Sequence, residues 1–176
     1  MGLSVIDANG FRSNVGIVLV NQSDQVFWAK RLKRDAWQFP QGGMNPGETP
    51  EQTLFRELEE EVGLSASQVT VLGRTRHWLK YRIPGRMLRK TEPVCRGQKQ
   101  LWFLLRLEAE DSAINLGFTQ KPEFDDWQWV SYCYPLRQII LFKREVYQSA
   151  LEELAPYLFR NAVRHWGVQS VNRLLR

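Results

Sequence analysis

The stretch that most limits what this chain can become is Gly42 to Leu64, GGMNPGETPEQTLFRELEEEVGL, where a glycine-rich segment runs into an acidic helix. Both helix ends are written in the residues. Thr49 supplies a hydroxyl at the N-cap, Pro50 fits the first helical position, and Gln52, three residues past the cap, closes a capping box. Gly63 is free to take the left-handed conformation that ends a helix, so the helix is expected over residues 50–62. At about 100° per residue, Glu57, Glu60 and Glu61 share one arc, while Leu54, Phe55, Leu58 and Val62 fill the adjoining one. A stripe of that kind packs on a sheet, which would hold the glutamates at the border of core and solvent. Arg56 precedes Glu60 by four residues and is spaced to orient that carboxylate, and Glu48 in the preceding turn can approach the same place.

A solvated acidic face is the ordinary reading of such a helix. Like charges on a helix cost only about 0.2–0.5 kcal/mol per pair in water, so energy does not decide. The pattern does: glycine, five residues, glutamate, seven residues, then R-E-L-x-E-E-x-G-L runs unbroken from Gly42 to Leu64. It resembles the Nudix box of Mg²⁺-dependent hydrolases that cleave nucleoside diphosphates linked to another group. The resemblance implies metal ligation by Glu57, Glu60 and Glu61, with Glu57 also the general base and Arg56 the orienting arginine. A backbone carbonyl from the turn, assigned to Gly42, is implied as a further ligand. The chemistry agrees, because hard divalent cations take several carboxylate oxygens, and phosphoanhydride hydrolysis uses metal to neutralise phosphate charge and activate water. Mg²⁺ is the expected cofactor, with Mn²⁺ able to substitute.

At 176 residues and 43% apolar content the chain suits one domain with a proper core. It is divided into a leader, 1–9, a domain, 10–155, and a basic tail, 156–176. No run of eighteen apolar residues suggests a membrane span, and MGLSVIDANG lacks the basic and apolar regions of a secretory signal. Cys95 and Cys133 are isolated thiols without metal spacing, which fits a reducing cytoplasm. The net charge is +5 although the box is acidic, so the excess cations lie elsewhere, as suits a polyanionic ligand.

In order, Phe11 to Asn14 leads into a buried strand, Val15 to Val20, and Asn21 to Asp24 turns the chain into a second strand, Gln25 to Lys30, as a hairpin. Arg12, Lys30, Arg31, Lys33 and Arg34 ring it. Ala36 to Pro40 is a short strand entering a glycine turn, and Val69 to Tyr81 is a long strand. Arg82 to Gln100 is expected as a structureless cationic loop, either merely soluble or an electrostatic guide for nucleic acid. Strands Leu101 to Leu107 and Trp127 to Ser131 follow, then a short helix at Pro135 and a longer one from Lys143 to about residue 158. Phe142 lies between those helices, as a core residue or free to stack on a base. Arg160 to Arg176 reads as a frayed helix, a partner-binding segment or disorder. The order predicts an α/β/α sandwich around a mixed sheet, and the Nudix fold implies the same.

Beyond the box, GFRSNVGIVLVN, WQFPQGGMNPGE, VCRGQKQLWF, PEFDDWQWVSYCYP and FKREVY are similar to bacterial Nudix members that act on the 5′ end of RNA. This implies removal of pyrophosphate or phosphate to leave a 5′-monophosphate that exposes the transcript to decay. It also implies Glu123 as a further metal-site glutamate, Arg12 and Arg31 as cations near the 5′ phosphates, and Phe142 with Lys143 as a base-stacking and contact position. Gln41 joins the substrate-binding set beside the metal turn, as neighbours of which Trp37 and Gln38 carry no individual role. Ser13 replaces a common proline and Arg96 an apolar residue. The expected partner is 5′-phosphorylated RNA, with no DNA or membrane and a monomeric state. Hydrolysis of dinucleoside polyphosphates is the rival, since WQ-x-PQGG is shared with those enzymes; a non-catalytic RNA-binding module is disfavoured by the intact glutamates.

Overall fold

Apolar residues on both sides of one strand set the architecture. The strand β1 (Phe11–Val20) turns Val15, Ile17 and Leu19 to one core and Val18 and Val20 to another, as a strand covered on both faces must. In the computed structural model, which describes residues 6–88 and 93–159, β1 is central to a mixed eight-stranded sheet. The others are β2 (Val26–Arg31), β3 (Trp37–Gln38), β4 (Gln41–Gly43), β5 (Val69–Arg74), β6 (Leu79–Arg82), β7 (Gly97–Leu107) and β8 (Phe124–Val130). β1 and β7 run parallel from Phe11 opposite Gly97 to Val20 opposite Arg106.

Helix α1 (Pro50–Val62) buries Leu54, Leu58 and Val62 on the first face, against Val15, Ile17, Leu101 and Phe103. After the short α2 (Pro135–Gln138), α3 (Leu141–Leu158) covers the second face with Val146, Tyr147, Ala150, Leu151 and Leu154. Tyr147 stacks on Phe39 at 5.3 Å and meets Trp102 edge-on at 4.9 Å. The expected α/β/α sandwich is therefore the fold. Among the described residues no helix is long and apolar enough to cross a membrane.

Several boundaries differ from the sequence reading, for physical reasons. β1 and β2 pair only at Val20 opposite Val26, because β4 takes the edge of β1 at Asn14, Val15 and Gly16 that a full hairpin would have given to β2. Beyond that pair the two strands part, and β2 pairs instead with β3 and β8. Gly42 and Gly43, read as a turn, are extended strand residues. The long strand at 69–81 is two, broken where the buried Thr75 exchanges hydrogen bonds of 2.9 and 3.1 Å with the Trp102 backbone. β7 starts at Gly97, four residues before the expected strand, since its polar GQKQ segment is paired by β1 and β6 on either side. α3 starts at Leu141, which places Phe142 in its first turn rather than between helices, and it runs past residue 155. The tail at 160–176 lies outside the described residues.

Candidate active site

The acidic helix ends where its caps place it. Thr49 Oγ1 accepts from the Gln52 amide at 3.2 Å, the Gln52 side chain accepts from the Thr49 amide at 2.9 Å, and Gly63 takes φ 74°. The three glutamates do not share one environment. Glu57 and Glu61, one turn apart, are 8% and 5% exposed against the sheet, while Glu60 points to solvent.

β4 makes that burial possible. Gly42 stands opposite Val15 and Gly43 opposite Asn14, so the two glycines face opposite sides of the sheet. A Cβ on Gly42 would fall on the Glu57 carboxylate, and one on Gly43 on the Arg12 guanidinium. Bare backbone thus lets an acid and a base approach one strand from its two faces. The neighbouring Gln41 donates its backbone N–H to Glu61 Oε2 at 2.8 Å.

Arg56 was expected to orient Glu60; its principal partners are others. Its Nε and Nη2 fork onto Glu48 at 2.7 and 2.9 Å, Nη1 reaches Glu57 at 2.6 Å, and Nη2 also donates to the Gly43 carbonyl at 2.9 Å. Glu60 is the more distant contact, at 3.4 Å from Nη1. The bidentate fork outcompetes an i,i+4 pair on an exposed helix face. Hydrogen bonds from Arg56 hold the Glu48 carboxyl well below the usual carboxylate range. Burial raises the pKa of Glu57 in spite of Arg56, and burial followed by the Glu57 charge raises that of Glu61 well above its ordinary value.

Among the described residues no three His, Cys, Asp or Glu side chains converge as a ready-made metal cluster. Glu57 and Glu60 both turn to Arg56, and Glu61 turns to the Gln41 amide. The donor chemistry fits a hard divalent cation: the buried Glu57 and Glu61 carboxylates repel each other, and the missing Cβ of Gly42 lets the Glu57 carboxylate lie against the backbone there.

Cations act on these carboxylates: the charge of Arg12 is felt at Glu57 and that of Arg31 at Glu61. Arg31 Nη2 lies 3.7 Å from Glu123, on the rim just ahead of β8, and the Glu123 charge is felt at Glu61. The Nε groups of Arg12 and Arg31 are buried without an acceptor among the described residues. Lys143, half-buried, sits 3.5 Å from the Gln38 side chain and 5.7 Å from the centre of the Tyr81 ring. Burial, helped by Arg31 and opposed by Glu61, lowers its pKa to about 8. Phe142 is half-buried with its ring 5.8 Å from that of Tyr81, so it is packed on one side instead of standing free.

The sequence reading missed a buried amide layer beneath Gln41. The Gln100 and Asn14 amides meet at 2.7 Å, Gln100 reaches the Gln41 side chain at 3.3 Å, and the Tyr81 hydroxyl donates to Gln98 at 2.7 Å. The alternation of Gln98 and Gln100 was the available signal, masked by a polarity that reads as loop.

Two helices flanking this sheet, with a capped acidic helix on a paired double glycine, define a hydrolase family, and the chain belongs to it: the NUDIX domain model matches residues 10–149. Its fold resembles that of the E. coli dihydroneopterin triphosphate pyrophosphohydrolase, with TM-score 0.60 and 21% identity over 78% of this chain and 92% of that one. It also resembles that of a C. elegans Ap4A hydrolase, with TM-score 0.57 and 16% identity over 83% of this chain and 96% of that one. Much nearer in sequence are proteins named RNA pyrophosphohydrolase. That of Pseudomonas paraeruginosa is 58% identical over 155 residues, 88% of this chain and 98% of the relative, and that of Pseudomonas putida is 59% identical over the same length.

Proposed function

We propose that this chain is an RNA 5′-pyrophosphohydrolase, converting 5′-triphosphate or diphosphate ends of cytoplasmic transcripts to 5′-monophosphates by water attack on a phosphoanhydride. The observation that carries the reading is the pair of buried carboxylates, Glu57 and Glu61, which feel the charges of Arg12 and Arg31 respectively, two arginines whose Nε groups are buried without an acceptor among the described residues. Identity of 58% to RNA pyrophosphohydrolases over nearly their whole length supports RNA as substrate.

In this reading Glu57, Glu60, Glu61 and Glu123 with the Gly42 carbonyl hold Mg²⁺ or Mn²⁺. Such a cation supplies charge neutralisation at the phosphates and a more acidic water. Glu57 accepts the proton of the attacking water, and Arg56 fixes its carboxylate in place. Arg12 and Arg31 bind outer phosphate oxygens with their forked donors. Gln41 anchors Glu61 through its amide and borders the substrate. Phe142, braced by Tyr81, and Lys143 meet the first bases. Stacking without base-edge readout suits many transcripts.

The test is parallel turnover of 5′-triphosphorylated RNA and diadenosine tetraphosphate with Mg²⁺. RNA is expected to have the higher kcat/KM, with pyrophosphate or phosphate and monophosphate-ended RNA as products; a preference for the dinucleotide would reassign the substrate.

Lys143 adds a pH dependence. Burial lowers its pKa from the ordinary lysine value of 10.5 to about 8, so its charge is lost as pH rises through that value. Phosphates bind the protonated form, and kcat/KM reports ionisations of the free enzyme. The kcat/KM for RNA is therefore expected to decline above about pH 8, and Lys143→Met to remove that limb; an unchanged limb in the variant would place Lys143 outside the substrate contacts.

A further inference from the structure

The face of the sheet that carries α1 also presents cations beside the carboxylates. β6 pairs with β7 so that Lys80 stands opposite Lys99 and Arg82 opposite Gly97. β7 in turn aligns Lys99 with Ser13 and Gly97 with Phe11 on β1. One pleat further along, Leu101 aligns with Val15 and Val15 with Gly42, the glycine beneath Glu57. The basic row and the carboxylate row thus share one face, about 7 Å apart along the strands and two to three strands, about 10–14 Å, apart across the sheet.

The cations are seated on aromatic rings. Lys80 and Arg82 each stand 5.5 Å from the centre of the Phe11 ring, and Lys99 stands 5.7 Å from that of Trp78. Their stems cover Phe11, which is only 7% exposed. Like charges directly opposite in a ladder are destabilising. Asp7 compensates Lys99 at 3.0 Å, but among the described residues neither Lys80 nor Arg82 has an ion-pair partner. Isolated surface cations are ordinarily just solvated. A cross-strand cationic row, fixed over rings and on the same face as the proposed phosphate-cleaving carboxylates, is instead arranged to follow a second polyanionic element.

We propose that Lys80, Arg82 and Lys99, backed by Phe11 and Trp78, are a second RNA-contact surface that grips the phosphodiester backbone downstream of the 5′ end. The proposal rests on RNA being the substrate. Contacts to phosphate alone carry no sequence code and give strongly salt-dependent binding. The surface therefore raises affinity for long transcripts while leaving the reaction at the 5′ end untouched.

The test compares wild type with the Lys80→Glu/Arg82→Glu double variant and the milder Lys80→Gln/Arg82→Gln, both checked for unchanged thermal unfolding. Kinetics use a 5′-triphosphorylated trinucleotide and a longer single-stranded RNA. Binding of a 5′-hydroxyl RNA of the same length, read by fluorescence anisotropy across salt concentrations, needs no catalysis. Charge reversal is expected to raise KM for the long RNA and the Kd of the 5′-hydroxyl RNA by about tenfold, with kcat and the trinucleotide KM unchanged. The charge-neutral variant should lower the slope of log affinity against log salt by about 1.4, two single-strand phosphate contacts. Equal effects on both substrates, or none on the long RNA, would overturn the proposal. Failure of wild type to cleave even the trinucleotide would sink the substrate reading instead, leaving the 5′-hydroxyl RNA binding to judge this surface.

Discussion

Glu57→Gln is expected to lower kcat on 5′-triphosphorylated RNA by about 10³-fold or more while RNA binding stays within a few-fold of wild type. The substitution keeps the volume of a side chain that is 8% exposed and lies over Gly42, and it keeps an oxygen to accept from Arg56 at 2.6 Å. What it removes is the capacity to take a proton from water and the negative charge that opposes a cation. Because both act when charge develops in the transition state, the loss falls on kcat rather than on KM. Glu60→Gln is the comparison: Glu60 shares the proposed metal set but is solvent-facing, 3.4 Å from Arg56 and not the proton acceptor, so the loss of kcat should be smaller than for Glu57→Gln. Measured kcat and KM for both variants decide the matter. Near-wild-type kcat in the Glu57 variant would move the proton-accepting role to Glu61 or Glu123.

The parts of this site that were legible in the sequence are those fixed by local rules. Thr49, Pro50, Gln52 and Gly63 act on backbone groups within four residues, so the helix bounds follow from the letters alone. The partition of the glutamates does not, because spacing puts Glu57, Glu60 and Glu61 on one arc and only the approach of β4 selects Glu57 and Glu61 for burial. Gly42 and Gly43 were read as a turn because glycine signals flexibility; here it marks close approach in an extended strand, which the sequence alone cannot separate. The helix spacing rule named Glu60 as the partner of Arg56, but Glu48, eight residues back and outside the helix, offers two oxygens to a planar fork. The polar segment Gly97 to Gln100 looked like loop, and tertiary pairing on both sides made it strand.

That fork makes Arg56→Lys the more damaging of two conservative-looking changes in the site. An ammonium offers three donors from a single point and cannot span Glu48, Glu57 and the Gly43 carbonyl at once. Glu48 and Glu57, with side chains 20% and 10% exposed, would be left facing each other with too little positive charge. Breaking a fully buried pair costs about 3–5 kcal/mol; with this partial exposure we expect about 2–4 kcal/mol, or roughly 5–12 °C in Tm, together with loss of activity. The pH dependence identifies the cause. In the wild type Arg56 depresses the folded-state pKa of Glu48, so that contribution is present above the ordinary value of 4.5 and is lost as pH falls through the lowered pKa. In the variant both carboxylates are destabilised when charged, so acidification relieves them. The gap in Tm between wild type and variant should therefore be wide at pH 7 and shrink as pH falls below 4.5, the ordinary value of Glu48. A gap that stayed constant with pH would mean that Arg56 supports the helix by the packing of its aliphatic stem, and that the charges around it are held by something else.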